Sequence, residues 1–220
     1  MMPAPFDLLP YLLEGVWVTV QVFAGATVFA AVAALVAGLA RLAPLWPVRW
    51  LAGAYVEIFR GTSALVQLFW FYFVLPEFGI FLEKRMVGIV VLGLNYGAFG
   101  AEIVRGAIRS IPRGQTEAAV ALNLSSFDRM WRIILPQALV RMLPPWGNLQ
   151  IEMLKNTALV LFIGVADLTY QSKVLQTDTQ RTVEIFGLSL LLYFLMALAV
   201  TGTVRLLERT FRRGLQPGSD

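Results

Sequence analysis

Two short motifs repeat an acid and a base three residues apart: Glu57 and Arg60 in EIFRG (57–61), and Glu102 and Arg105 in EIVRG (102–106). Residues i and i+3 share a helix face, so each motif can close an ion pair on itself. A third constellation, Asn148, Glu152, Lys155 and Asn156, falls at i, i+4, i+7 and i+8, a polar stripe along one helix. Gln67, Asn95 and Thr157 add single polar groups to apolar surroundings. These groups can bind or gate a polar solute, but they are poorly suited to covalent catalysis. The chain has no Cys and no His, which removes thiol nucleophiles, His-based triads and Cys/His metal sites. It carries neither a G-x-x-x-x-G-K-[ST] phosphate loop nor a G-x-S-x-G elbow, so it is not expected to bind ATP or form an acyl-enzyme unaided. Its carboxylates stand beside arginines rather than beside each other, which argues against an embedded acid–base enzyme. No catalytic residue, metal ligand or cofactor is expected.

The elements that must position these groups are membrane helices. With 58% hydrophobic residues, the chain contains five apolar runs, at roughly 14–40, 52–75, 86–104, 146–166 and 184–204, each able to cross ~30 Å of hydrocarbon as a helix. The expectation is an all-α integral membrane protein with a single domain over 1–220. Ala30, Ala34 and Gly38, and likewise Gly93, Gly97 and Ala101, recur every fourth residue, the spacing that lets helix backbones approach closely; small residues are also simply common in such helices. A net charge of +4 could suggest nucleic acid, but the arginines cluster beside the spans instead. Arg41–Arg49, Arg105–Arg141 and Arg205–Arg213 fall on one side, while in 76–85 and 167–181 on the other side acids balance bases. The positive-inside bias puts the N-terminus outside and the C-terminus in the cytoplasm. Before the first span stand Asp7 and Glu14 rather than a basic n-region, so no cleaved leader is expected. On this layout EIFRG opens the second span and EIVRG closes the third. Both pairs would then lie near the headgroups, either as self-neutralised snorkelling groups or as a gate. Gln67 and Asn95 line a path or serve as interhelical glue worth ~0.6 kcal/mol.

Between spans three and four runs a long polar loop, 105–145. Thr116 is expected to cap a short helix with Glu117 in its first turn, and Asn123 to end that helix in a left-handed conformation. Ser125 and Asp128 then open a second helix, whose Trp131, Ile134, Leu135, Ala138, Leu139 and Met142 share one apolar face. Pro136 should kink that helix, and Pro144–Pro145 should end it before the fourth span. The result is an elbow with its corner offered to the cytoplasm. A surface helix lying in the headgroup layer would account for the arginines equally well.

These residues resemble the permeases of binding-protein-dependent ABC importers, whose cytoplasmic signature is E-A-A, three residues, G, nine residues, I-x-L-P. Here it reads Glu117-Ala118-Ala119, Asn123 in place of the glycine, and Ile133-Ile134-Leu135-Pro136. YVEIFRGTSALVQLFWFYFVLP (55–76) and NYGAFGAEIVRGAIRSIPRGQTEAA (95–119) look like the polar amino acid branch, which includes histidine, glutamine and arginine permeases; 167–204 looks more loosely like permeases for ectoine and related compatible solutes. The resemblance implies a type I, MetI-like fold of five spans in a bacterial inner membrane. In it Glu117, Ala118, Ala119 and Asn123 form the coupling corner that docks on a separate ATPase. It also implies as partners two ATPase subunits, a second permease subunit and an extracytoplasmic solute-binding protein. KNTALV (155–160) stands where relatives often have K-D-[ST]-[SA]-L-[VI] near the solute, with Asn156 for the usual aspartate. Glu57, Arg60, Gln67, Asn95, Glu102, Glu152, Lys155, Asn156 and Thr157 are the candidate path residues. A secondary transporter or channel is the other reading; it calls for inverted repeats and helix breaks in mid-membrane, neither of which the sequence offers cleanly.

Overall fold

The computed structural model describes residues 6–215, and every regular element among them is helical. Helix α1 (Leu9–Ala40), α4 (Lys84–Arg109) and α9 (Thr182–Leu215) are each long and apolar enough to cross a membrane. Two bent pairs bring the spans to five. The first pair is α2 (Trp46–Gly61) with α3 (Ala64–Phe69), which continues through a π-helical turn and a 3-10 turn to Phe78; the two halves meet at 105°. The second is a helical rod from Ser126 to Ile163, followed at 55° by α8 (Leu168–Thr179). Between α4 and that rod lies α5 (Arg113–Ala121).

Helices α1 and α4 form the spine. A Cβ added at Gly97 would stand 2.7 Å from the Ala33 Cβ, and one at Gly38 would stand 2.9 Å from the Ala101 carbonyl oxygen. The repeats of small residues on the two helices therefore face one another. With no hydrophobic drive between helices in lipid, this close approach supplies dispersion contact instead. Around the spine Val22, Ala26, Val91, Leu92, Met153 and Val160 make the main core. Beside the start of α1, the Arg181 guanidinium donates to Asp7 at 2.8 Å and also bonds Glu184, which holds the Asp7 carboxyl below the usual carboxylate range.

Several sequence expectations need correction. The second span starts at Trp46 and breaks between Gly61 and Ala64, so EIFRG ends a half-helix instead of opening a span. The break also lies beside Asn95, near the middle of α4, which is the mid-membrane interruption the sequence did not lead one to expect. Helix α5 begins three residues before Thr116, at Arg113 after Pro112, so Thr116 is not its cap and Glu117 is not in its first turn. A proline at that point fixes φ and needs no N–H partner, which makes it a better start than a mid-helix threonine.

Finally, Pro144 and Pro145 lie inside a continuous α7 (Leu135–Asn156). The flanking packing compensates for the lost backbone bonds, as membrane helices permit. A Cβ added to Gly147 would meet Val204 at 2.5 Å, and one added to Gly100 would meet Trp146 at 2.6 Å. Ahead of α7, α6 (Ser126–Asp128) runs into a π-helical stretch, Arg129–Ile134, which ends two residues before Pro136. The wider π turn inserts a residue and rotates the register. Ile134, Leu135, Ala138 and Met142 are buried as expected, while Trp131 and Leu139 are left 49% and 37% exposed.

Candidate functional site

The break between α2 and α3 is stitched by two buried amides. The Asn95 side chain donates to the Phe59 carbonyl at 2.8 Å and to the Gln67 Oε1 at 3.1 Å. Gln67 Nε2 donates to the same Phe59 carbonyl at 3.0 Å and to the Thr62 hydroxyl at 2.7 Å. A helix end inside a membrane has no water for its last carbonyls, so side chains must satisfy them. Gln67 and Asn95 therefore act on the backbone of the break, where they fix the position of Arg60 one residue beyond Phe59.

Arg60 does not pair with Glu57. Its guanidinium sits over the Phe99 ring, 5.1 Å from the centroid, while Glu57 stands 3.8 Å from Arg41. Phe99 in turn lies 6.2 Å from the Tyr96 ring, and Tyr96 accepts a hydrogen bond at its hydroxyl from Asn156 of α7. Asn148, Glu152 and Lys155 are exposed on the same stripe of α7. Thr157 is buried, and its hydroxyl donates to the Leu154 carbonyl at 2.7 Å. One face of α4 thus forms an aromatic floor, with the end of α2 on one side and the polar stripe of α7 on the other.

Glu102 lies on the same face of α4, toward the end that carries α5. It does pair with Arg105, whose Nε donates at 3.0 Å, and it also takes Arg41 from the end of α1. Two guanidiniums on one carboxylate, with Glu57 as an outlying partner, join α1, α2 and α4 in one ionic knot. Sequence reading missed Arg41 because it served there only as a topology marker. It missed Tyr96 and Phe99 because aromatic residues in a span look like core.

The corner after α5 has the expected chain reversal. Asn123 takes φ 55°, its N–H donates to the Val120 carbonyl, and Leu124 N–H donates to the Ala119 carbonyl. Ser125 then caps the next helix, accepting from the Asp128 N–H at 3.1 Å. Ala119 is buried beneath the corner, whereas Glu117, Ala118 and Asn123 are exposed. Arg141 braces the elbow by donating to the Ser110 carbonyl at 2.6 Å.

A further buried group lies on the opposite face of α7 from the stripe. Gln150 Oε1 accepts from Thr27 at 2.7 Å, and its Nε2 has no partner among the described residues. It borders a cleft of about 340 Å³ between α1, α7 and α9. In sequence Gln150 sits out of phase with Asn148 and Glu152, so the stripe drew attention away from it.

Comparison with known proteins places this geometry among transporters. Residues 26–213 match the family of binding-protein-dependent transport system inner membrane components. The chain is 42% identical, over 94% of its length and 90% of the relative's, to a probable amino-acid ABC transporter permease protein, y4tF, of Sinorhizobium fredii. It is 37% identical, over 95% and 96%, to the glutamine transport system permease protein GlnP of Escherichia coli K12. Among solved structures, an amino acid ABC transporter crystallised with histidines superimposes with a TM-score of 0.86 at 33% identity, covering 96% of this chain and 100% of that one. The inward-facing MetNI methionine ABC transporter superimposes with a TM-score of 0.76 over 96% of this chain and 99% of that one; at 21% identity it speaks for the fold alone.

Proposed function

Because the chain belongs to the family of binding-protein-dependent transport system inner membrane components, we propose that it lines the passage of an ATP-driven importer for amino acids. Its relatives include a glutamine permease and a probable amino-acid permease. ATP hydrolysis belongs to a partner chain, since this one has no phosphate loop. The working assembly is two permease subunits, two ATPase subunits and an external solute-binding protein. It sits in a bacterial inner membrane as a single permease domain, with the N-terminus outside and the C-terminus in the cytoplasm. The solute is a polar zwitterion, an amino acid or a compatible solute. Glu57, Arg60, Gln67, Asn95, Glu102, Glu152, Lys155, Asn156 and Thr157 line or shape its path.

The observation that carries this reading is the corner at Asn123: a short helix with Glu117 exposed, a left-handed turn, and a long rod leading from the corner into the bundle. A force applied there by an ATPase would travel along that rod into α7 and its polar stripe. Reversing the Glu117 charge leaves every described contact of the spans intact, yet it replaces an acceptor for a partner's bases with a base. Glu117→Lys is therefore expected to insert normally, to co-purify poorly with the ATPase, and to lose solute-stimulated ATP turnover. Full coupling in that variant would make the elbow a membrane-surface helix and nothing more.

The break between α2 and α3 is the one feature that favours an ion-driven transporter, because such proteins place half-helices at mid-membrane. The two readings separate in lipid vesicles holding this chain alone. Under a proton or sodium gradient it should accumulate no amino acid, and uphill uptake would favour the ion-driven reading. Orientation is tested on the naturally cysteine-free chain: an impermeant thiol reagent applied outside should label Gln176→Cys and spare Ser125→Cys.

A further inference from the structure

Arg60 is an exposed cation without a carboxylate partner among the described residues, at a depth where that is costly. It lies at the end of a half-helix level with the middle of α4, and among the described residues no carboxylate reaches within 4 Å of its guanidinium. Its neighbours do not supply one. Glu102 is taken by Arg41 and Arg105, and Glu57 leans toward Arg41. Hydrocarbon would not tolerate such a group, so it faces water or a ligand. The protein nevertheless invests in holding it. The carbonyl of the preceding residue, Phe59, accepts from both Asn95 and Gln67, and Phe99 lies beneath the guanidinium. A guanidinium held over a ring face keeps its N–H groups free to bind a carboxylate in bidentate fashion.

On this ground, and resting on the reading of the chain as an amino-acid permease, we infer that Arg60 is the receptor for the solute's α-carboxylate. The partly exposed Phe99 forms the floor under the solute, and the buried Tyr96 backs it from the core. The rest of the solute faces the α7 stripe, where Glu152 is exposed without a described cation partner and Asn156 is tied to Tyr96. Lys155 is the cation on that stripe, exposed and without a carboxylate partner among the described residues. It stands on a flexible stem with no ring beneath it, and as a compact point charge it reads a carboxylate with less geometric selectivity. The same chemistry would let Arg60 hold a lipid phosphate, and the test below separates the two.

The measurement is equilibrium binding to the detergent-purified permease–ATPase complex, without the solute-binding protein. The probes are radiolabelled L-glutamine, L-cystine and L-arginine, each competed with the corresponding amino acid amide, which lacks the carboxylate charge. Wild type should prefer the best acid over its amide by tenfold or more. Arg60→Gln should bind the acid at least tenfold more weakly and lose the acid-over-amide preference. Arg60→Lys should recover part of both. Lys155→Gln, which alters a path residue, should weaken acid and amide alike and so keep the preference; a preference lost there would move the carboxylate to Lys155 and overturn the assignment. Co-purification of the ATPase reports that each variant is folded. A preserved preference in Arg60→Gln overturns the assignment, as does a tight lipid phosphate that leaves with the mutation while amino acid binding stays. If the wild-type complex binds none of the three amino acids, the amino-acid reading itself fails and this assignment falls with it.

Discussion

Helix α4 has two faces that behave as opposites. Its back, Gly93, Gly97, Gly100 and Ala101, is pressed against α1 so closely that an added Cβ at Gly93 would stand 2.7 Å from the Phe29 side chain. Its front, Asn95, Tyr96, Phe99 and Glu102, carries side-chain hydrogen bonds or ring contacts to α2 and α7, and an ion pair to α1. The back holds by shape and tolerates no added atoms. The front holds by polar contacts, which on the proposed function are the ones that would be exchanged for a solute or a new partner when the spans move. A rigid face and an exchangeable one on the same helix are what a moving passage needs, because the spine keeps its register while the polar groups change theirs.

Substitutions at the two faces should therefore fail differently. The largest effect is expected at the back. Gly97→Val drives a branched side chain into Ala33 and the Tyr55 hydroxyl and should cost ~3 kcal/mol or more of stability, seen as a lost thermal transition in detergent. Gly202→Ala on α9, where nothing lies within 4 Å of the added Cβ, should leave the transition unchanged or raise it. Equal damage from both would dissolve the contrast. Next comes Glu102→Gln on the front, which leaves Arg41 and Arg105 without their shared carboxylate. The pair is partly exposed, so the stability loss should be only ~1 kcal/mol, while transport falls by about tenfold, a rate loss that corresponds to ~1.4 kcal/mol. A stability loss as large as that of Gly97→Val would make the knot structural.

Asn95→Leu should be smaller still in stability, ~1 kcal/mol, because Gln67 still satisfies the Phe59 carbonyl. Its signature is a rise in the solute concentration needed for half-maximal stimulation of the ATPase, as the hold on Arg60 loosens. The smallest effect belongs to Gln150→Leu. It removes a buried amide with an unpartnered N–H and returns the Thr27 hydroxyl to its own helix backbone, so melting should shift by less than ~1 kcal/mol in either direction. A loss above ~2 kcal/mol would mean that the amide has a partner in the membrane.

Much of this molecule is determined by local sequence. Apolar length set the spans at 14–40, 86–104 and 184–204, because the backbone in lipid has few ways to satisfy itself other than as a helix. The glycine and alanine repeats marked the packing faces of α1 and α4, since spacing along a helix is a statement about one face, but not that those two faces meet each other. Asn123 and Ser125 were readable because left-handed turns and caps depend on a residue and its immediate neighbours. The pairing of Glu102 with Arg105 was readable for the same reason.

What tertiary structure alone decided lies wherever a local rule competed with a distant partner. Prolines 144 and 145 say stop, and packing by α4 and α9 overrides them. Thr62-Ser63 is a weak interruption by sequence, and it becomes a 105° break because the Asn95 amide, 36 residues along the chain, joins Gln67 in capping the Phe59 carbonyl. Glu57 and Arg60 have the spacing of a pair, but Arg41 draws one and the Phe99 ring receives the other. Spacing along the chain fixes which groups can meet on one helix. Which of them do meet is settled by the charges and rings that neighbouring helices bring within reach.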